Sequence, residues 1–420
     1  MRVMLATVAE HAHLLGLVPI GWALRTAGHE VRVASQPQLA EAIAASGLTA
    51  VPVGRDHDFW RVATTYSALD RLGAEAPLFG RVGGPPEGLS WEYLKEGYRR
   101  VVPWWWRMVN DSMIDDLARL CLEWRPDLVI WGPVTFAGAL AAKVSGAAHA
   151  RVVWGADKFA LVRERFLRLL PLRPAHERED LLAGWLGARL ARYGHSYSED
   201  LACGQLTLDC VPASLQLGVA GHRVPMRYVP YNGRAVVPRW LRVQPDRPRV
   251  ALTLGISAAG RHGENVTLPD ILDALSDLDL EVVATIPAGQ RAMLGPVPDN
   301  ARIVDFAPLE PLAQTCAAVI HHAGWGTLCT LLAVGVPQLM LPNLFDQPLL
   351  STAIVRQGAG LAVPDGEVTA AGVREHLVRL LRERSFAAGA ERLRDEALAM
   401  PTPNQVVAQL EQLALSGTRR

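Results

Sequence analysis

Residues 321–327, His-His-Ala-Gly-Trp-Gly-Thr, carry the densest chemistry in this chain. The apolar run CAAVI precedes them and TLCTLLAVG follows, so they read as the end of a strand, a tight glycine turn and the first turn of a helix. Such a turn aims backbone N–H groups and a helix N-terminus, worth about half a positive charge, at whatever sits above it. Gly324 and Gly326 let an anion approach the backbone closely. His322 adds a ring N–H and Thr327 a hydroxyl. The ligand that suits this set is a phosphate.

An isolated H-H-x-G turn would more often just join a core strand to a core helix. The string FDQP, one strand further on after VPQLMLP, changes that balance. In a parallel α/β unit it brings Asp346 and Gln347 to the same carboxyl edge of the sheet. A carboxylate and an amide able to hold vicinal hydroxyls, beside a phosphate cradle, make a nucleotide-sugar site.

At this point the sequence resembles the inverting nucleotide-sugar glycosyltransferases of GT-B fold that decorate natural products. MRYVPYNG at 226–233, VVPRWL at 236–241 and LTLGIS at 252–257 are similar to the bacterial branch that places TDP-deoxysugars on macrolide and anthracycline polyketides. The likeness runs from MRVMLATVAEHAHLLGLVPIGWALRTAGHEVRVAS at the start to PTPNQVV near the end. It implies an α/β architecture of two doubly wound, Rossmann-like parallel-sheet domains facing a cleft. It also implies a TDP-deoxysugar donor as co-substrate, a polyketide aglycone as acceptor, and no cofactor.

Glycosyl transfer needs a deprotonated acceptor, an accommodated pyrophosphate and a held sugar. His13 is the natural base: it lies in the loop after the first strand, at the edge where an α/β cleft opens, and HLLGLVP matches the family's position for a histidine base. His11 ranks far behind it. By the same resemblance Gly255 and Ser257 face the diphosphate with His322 and Thr327, and Phe306 and Ala307 of VDFAPLEPL match the nucleobase segment. Asp346 and Gln347 take the sugar hydroxyls. Ala323 stands where the family often has glycine. Relatives commonly follow the PDLVIW strand with an acid that orients the histidine, but this chain has Gly132, which leaves Glu10, Asp111 or Asp157 to orient His13. A less assisted base suits a phenol, with pKa near ~10, so an aromatic acceptor is slightly favoured over a macrolide. Trp91 and Trp104, Trp105 and Trp106 are consistent with a flat aglycone pocket, although three adjacent tryptophans on a helix point in different directions and some are core.

Composition sets the outer bounds. A chain of 420 residues suits two α/β domains rather than one core. Lys+Arg and Asp+Glu balance at 42 each, which gives no net electrostatic reason to seek nucleic acid or an anionic membrane. The five cysteines lack any metal-ligand spacing and read as reduced thiols of a cytoplasmic protein. Glu10, His11 and His13 interrupt the apolar start, so no signal peptide is expected. The uncharged stretch from Leu312 to Phe345 is broken by glycines, prolines and histidines, and reads as buried strands and a helix rather than a membrane span.

The elements that must position these residues repeat one grammar. VMLATV, HEVRVAS, DLVIW and HARVVW are strands in the first half, with LVPIGWALRTAG and TFAGALAAKVSG as helices. RVALTLG, LEVVATI, ARIVDF and AAVIHH are strands in the second, with LPDILDALSDL as a helix. The regular pattern fails from Gly54 to Pro103. The expected organisation is an acceptor-binding domain over 1–225, a linker over 226–248, a donor-binding domain over 249–395, and a terminal helix over 396–420 that the resemblance returns to the first domain.

Two D-x-D strings, Asp56-His57-Asp58 and Asp277-Leu278-Asp279, invite a metal, but neither lies near the phosphate turn and both read as solvated acids. A helix terminus and a histidine supply the positive potential instead. An epimerase or hydrolase on the same fold would also need the phosphate turn, and a hydrolase would lack a tryptophan-rich acceptor domain. A non-catalytic helper would have no reason to keep both the base and the donor residues. The protein partners to consider are a second copy of the chain and a haem-less, cytochrome-like helper protein. The resemblance implies the helper, with the apolar helices between Trp91 and Leu122 as its docking surface.

Overall fold

The computed structural model describes residues 1–59, 61–62, 78–84, 86–253, 267–343 and 345–417. Short aliphatic runs such as VMLA, LVIW and ARVV are buried on both faces, the pattern of strands in a parallel sheet covered by helices. β1 (Arg2–Ala6), β2 (Glu30–Ser35), β3 (Thr49–Pro52), β4 (Leu128–Trp131), β5 (Ala148–Val153), β6 (Leu206–Asp209) and β7 (Arg223–Pro225) form one parallel sheet in the order β3-β2-β1-β4-β5-β6-β7. β8 (Arg249–Thr253), β9 (Glu281–Thr285), β10 (Ala301–Val304), β11 (Cys316–His321), β12 (Gln338–Met340) and β13 (Gly360–Ala362) form the other, ordered β10-β9-β8-β11-β12-β13. In each sheet the order reverses once, between β1 and β4 and between β8 and β11. Ligands of doubly wound sheets sit outside the carboxyl ends of the strands at such switch points.

Five helices carry the argument: α1 (His11–Thr26), α2 (Arg107–Trp124), α3 (Trp325–Val334), α4 (Gln347–Arg356) and α5 (Pro403–Gly417). Glycine ends α3 as the helix rules require, with Gly335 in the left-handed region at φ 80.

The chain divides into two compact units, Met1–Val211 with Gln216–Arg227 and Pro401–Arg420, and Pro212–Leu215 with Tyr228–Met400. Within the first, α5 packs on α1 and β5, and Glu411 reaches His29 at 3.0 Å. The stretch 226–248, read from sequence as a linker, is instead shared between the two bodies. Met226 is buried in the first, while Leu241 packs into the second unit's core with Ala251 and Val283. Trp240 lies under the guanidinium groups of Arg249 and Arg302, 5.4 and 5.2 Å from its ring centre.

The segment from Gly54 to Pro103 is less irregular than its glycines and prolines imply. It contains a helix, Trp91–Val101, capped by the Ser90 hydroxyl, which accepts from the Tyr93 N–H at 3.3 Å. All five cysteines are free thiols. Among the described residues no helix is long and apolar enough to cross a membrane.

Candidate active site

In the second unit the parallel register levels the strand ends. Thr253 pairs with Thr285 and His321, Thr285 with Val304, and His321 with Met340. The described donor-site candidates, Phe306, Ala307, His322, Gly324, Gly326, Thr327, Asp346 and Gln347, follow these levelled residues at one edge of the sheet. Gly255 and Ser257 fall outside the described residues.

The turn after β11 has a defined shape. His321 is fully buried, and its Nδ1 accepts the Ala323 backbone N–H at 3.1 Å while Nε2 faces Gln338 Oε1 at 3.0 Å. Burial, with the charge of His322 adding to it, pushes the His321 pKa down to about 3. Ala323 sits at φ 61, where glycine would be at ease. Gly324 then places itself beneath the His322 ring: a Cβ there would lie 2.3 Å from His322 Nε2. His322 is itself only 6% exposed.

Gly324 is the N-cap of α3 and offers no side chain to its first turn. Leu328 N–H donates to Gly324 C=O at 2.9 Å, the start of the helical ladder, and the amides of Trp325, Gly326 and Thr327 precede it. They lie beside His322, and the arrangement suits a diphosphate. Thr327 is half-buried in that turn.

The remaining candidates flank this centre. Phe306 is 49% exposed beyond β10, with its ring offered to solvent, and Ala307 is buried in the core beneath it. Asp346 is the N-cap of α4, and Phe345 before it takes a positive φ of 53. Gln347 Oε1 accepts the Asn343 backbone N–H at 3.0 Å, so this side chain also closes the loop that carries Asp346.

In the first unit His13 lies in the first turn of α1, not in a loop. The Glu10 carbonyl accepts the His13 and Leu14 N–H groups at 3.0 and 3.1 Å, and the helix starts at His11, before the Leu17 start that the sequence pattern gives. The loop between β1 and α1 is pinned from both sides. Val8 N–H donates to Thr135 Oγ1 at 3.2 Å, and Ala9 N–H to Gln36 Oε1 at 2.8 Å. His13 is half-buried, its pKa lowered to about 4 by burial and then by the neighbouring His57. Its ring meets Trp154 edge-on, 5.4 Å between centroids. Gln36, His57, Thr135 and Trp154 all serve this corner, and sequence reading missed every one as a site residue. Their separation along the chain hid them.

Two of the acids considered as partners of His13 are committed elsewhere. Asp111 accepts from Trp185 Nε1 and Arg189, both at 2.8 Å. Asp157 is buried between Arg151 at 2.6 Å and Arg223 at 2.8 Å, whose charges hold its carboxyl below the usual range against the cost of burial. The D-x-D acids are also engaged: Asp56 caps the Gln38 N–H at 2.8 Å, Asp58 pairs with Arg61, and Asp277 with Arg374.

The tryptophans sort differently from the flat pocket expected of them. Trp91 is 2% exposed and stacked on Phe166 at 5.2 Å, so it is core. Trp104 to Trp106 lie on a π-helical turn, Val102–Trp106. There Trp106 is buried, Trp105 packs with Phe59, Phe79 and Phe159, and Trp104 is 60% exposed. Three adjacent side chains on a helical turn must diverge.

Residues 22–255 match the family described as erythromycin biosynthesis protein CIII-like, N-terminal domain, and 269–413 match its C-terminal domain. The chain is 47% identical over 421 residues to the 10-deoxymethynolide desosaminyltransferase of Streptomyces venezuelae, covering 100% of this chain and 98% of that one. It is 45% identical over 432 residues to the aklavinone 7-beta-L-rhodosaminyltransferase of Streptomyces galilaeus, covering 98% and 96%. Its fold is similar to that of the glycosyltransferase VinC solved in complex with dTDP, with a TM-score of 0.90, 39% identity, and 99% and 100% of the two chains covered.

Proposed function

We propose, because this chain belongs to the erythromycin biosynthesis protein CIII-like glycosyltransferases of GT-B fold, that it transfers a deoxysugar from TDP to a hydroxyl of a polyketide aglycone with inversion at the anomeric carbon. The observation that carries the reading is the donor edge, where His322, lying over Gly324, shares the carboxyl ends of β8 to β12 with Phe306, Thr327, Asp346 and Gln347. His13 takes the acceptor proton as the acceptor oxygen attacks the anomeric carbon. The bond to the diphosphate breaks on the opposite face, and the developing charge on TDP is met by His322, Thr327 and the first amides of α3. Phe306 stacks on the base, Ala307 offers its backbone, and Asp346 and Gln347 hold the sugar. No metal is needed, because the turn supplies the positive potential.

His13 held neutral down to about pH 4 is a weak base, which serves an acidic acceptor hydroxyl best and favours an aromatic polyketide over a macrolide. The relatives act on acceptors of both kinds, so this preference rests on the base alone. The reading includes a cytoplasmic setting and a haem-less helper protein on the first unit. For that helper, Trp104 and Leu122, 60% and 45% exposed, are the large apolar side chains that the span 91–122 turns outward.

The test is a panel of TDP-deoxysugars against 10-deoxymethynolide and aklavinone, read by mass spectrometry, with and without the helper encoded beside the chain. The expected product carries one added deoxysugar with the opposite anomeric configuration, and His13→Ala lowers its rate by about 10²- to 10⁴-fold. Retained configuration, or full turnover by His13→Ala, overturns the mechanism.

A further inference from the structure

The first turns of α1 set His13 and Gly16 on one helical face, three residues apart. The indole of Trp154, which follows β5 and is 8% exposed, lies across that face. A Cβ at Gly16 would come within 3.0 Å of Trp154 Cε3, and a Cβ at Gly132, at the end of β4, within 3.1 Å of Trp154 Cη2. These distances are tighter than ordinary van der Waals contact, so both positions are seats for the indole that any side chain would crowd. The third side of the indole meets the His13 ring at 5.4 Å and 66°, an edge-to-face contact.

His13 Nδ1 is buried and has no hydrogen-bond partner among the described residues. Gly132 has no side chain, and Asp111 and Asp157 are spent on arginines. The titratable group that acts on His13 is His57, itself flanked by Asp56 and Asp58 and itself held below its ordinary value, chiefly by burial.

We propose that Trp154 is the positioning residue of His13: its indole, seated on Gly16 and Gly132, fixes the imidazole by packing where a hydrogen-bonded carboxylate would otherwise fix it. Two consequences follow. The imidazole is oriented by packing with its Nδ1 unbonded among the described residues, so its neutral form is favoured and no carboxylate hydrogen-bonded to Nδ1 stabilises the imidazolium formed during transfer. The two glycines belong to the catalytic corner although neither touches substrate.

The proposal rests on His13 as the base, and its test separates the two. The full-length chain, labelled at histidine, is titrated by NMR to read the His13 ring directly, in the wild type and in Trp154→Ala, Trp154→Phe and Gly16→Ala. Trp154→Ala should hydrate the ring and move its pKa up by at least one unit toward 6.5. It should lower kcat about 10-fold or more with the fastest donor–acceptor pair from the panel, and leave TDP affinity unchanged. Trp154→Phe, which keeps an aromatic edge, should restore much of both. Gly16→Ala gains helix propensity while its Cβ displaces the indole, so a purely structural view predicts at most altered stability with normal turnover by the folded protein. Positioning predicts a lower kcat in a folded protein. An unmoved His13 pKa with unchanged kcat in Trp154→Ala, or unimpaired kcat in Gly16→Ala, overturns the proposal. Full turnover by His13→Ala overturns the base reading instead.

Discussion

His321 Nδ1 accepts the backbone N–H of Ala323 at 3.1 Å, and this contact shapes the turn that leads from β11 into α3. With Nδ1 accepting, the ring proton sits on Nε2 and donates to Gln338 Oε1 at 3.0 Å. Both partners are fully buried. The pairing holds Ala323 in the left-handed region at φ 61, which costs a residue with a Cβ about 1–2 kcal/mol.

Ala323→Gly should therefore stabilise the second unit by about 1 kcal/mol, less the entropy that glycine adds to the unfolded chain. Gln338→Leu should do the opposite, costing about 1–3 kcal/mol by leaving the His321 Nε2–H without an acceptor. Denaturant titration of both variants checks the pair. A destabilised Ala323→Gly protein would mean that the turn carries no strain.

Gly324→Ala tests the placement of His322. The new Cβ would stand 2.3 Å from His322 Nε2, so the ring must swing away from the turn. Alanine is also a poorer N-cap than glycine, and a modest loss of stability accompanies the change. The expected result is TDP affinity about 10-fold weaker by calorimetry, matched by His322→Ala. Affinity unchanged in both variants would remove His322 from the diphosphate.

The meeting of HHAGWGT and FDQP at one sheet edge was legible in the sequence because both are contiguous strings at the ends of neighbouring strands, β11 and β12. What escaped has two physical causes. β3, β6, β7 and β13 are only three or four residues long, too short to show a period against neighbouring helices. The acceptor-side corner is assembled from Gln36, His57, Thr135 and Trp154, which four different connections bring to His13, and no local pattern reports a tertiary meeting. Trp91 shows the converse error. An aromatic residue in a segment read as irregular seemed free to bind, but Ser90 starts a helix there and Phe166 buries the ring.

Turnover should survive EDTA. Of the D-x-D acids, Asp56 is bonded to the Gln38 backbone N–H, and Asp58 and Asp277 pair with Arg61 and Arg374. In the proposed mechanism His322 and the first amides of α3 meet the diphosphate charge. Activity lost on chelation and restored by Mg²⁺ would return a metal to the mechanism.

Beside His57, which burial also holds below its ordinary value, protonation of two histidines with defined folded values opposes folding, His13 at about 4 in the first unit and His321 at about 3 in the second. Both lie below the ordinary value of 6.5 for the same leading reason, burial. Between these folded values and 6.5 the unfolded chain binds a proton that the folded chain refuses, so stability falls as pH falls. Each of these two rings should contribute a loss of up to about 1.4 kcal/mol per pH unit from pH 6.5 down to about 4. Below pH 4 a second loss sets in as Asp157 and Asp200 are forced to protonate, since ion pairs and hydrogen bonds hold both carboxyls below their usual range. Denaturant unfolding at pH 7, 6 and 5 measures the first window, and His13→Ala should flatten the slope of the first unit alone. Equal stability at pH 7 and pH 5 in both units would show that neither ring is held neutral by the fold.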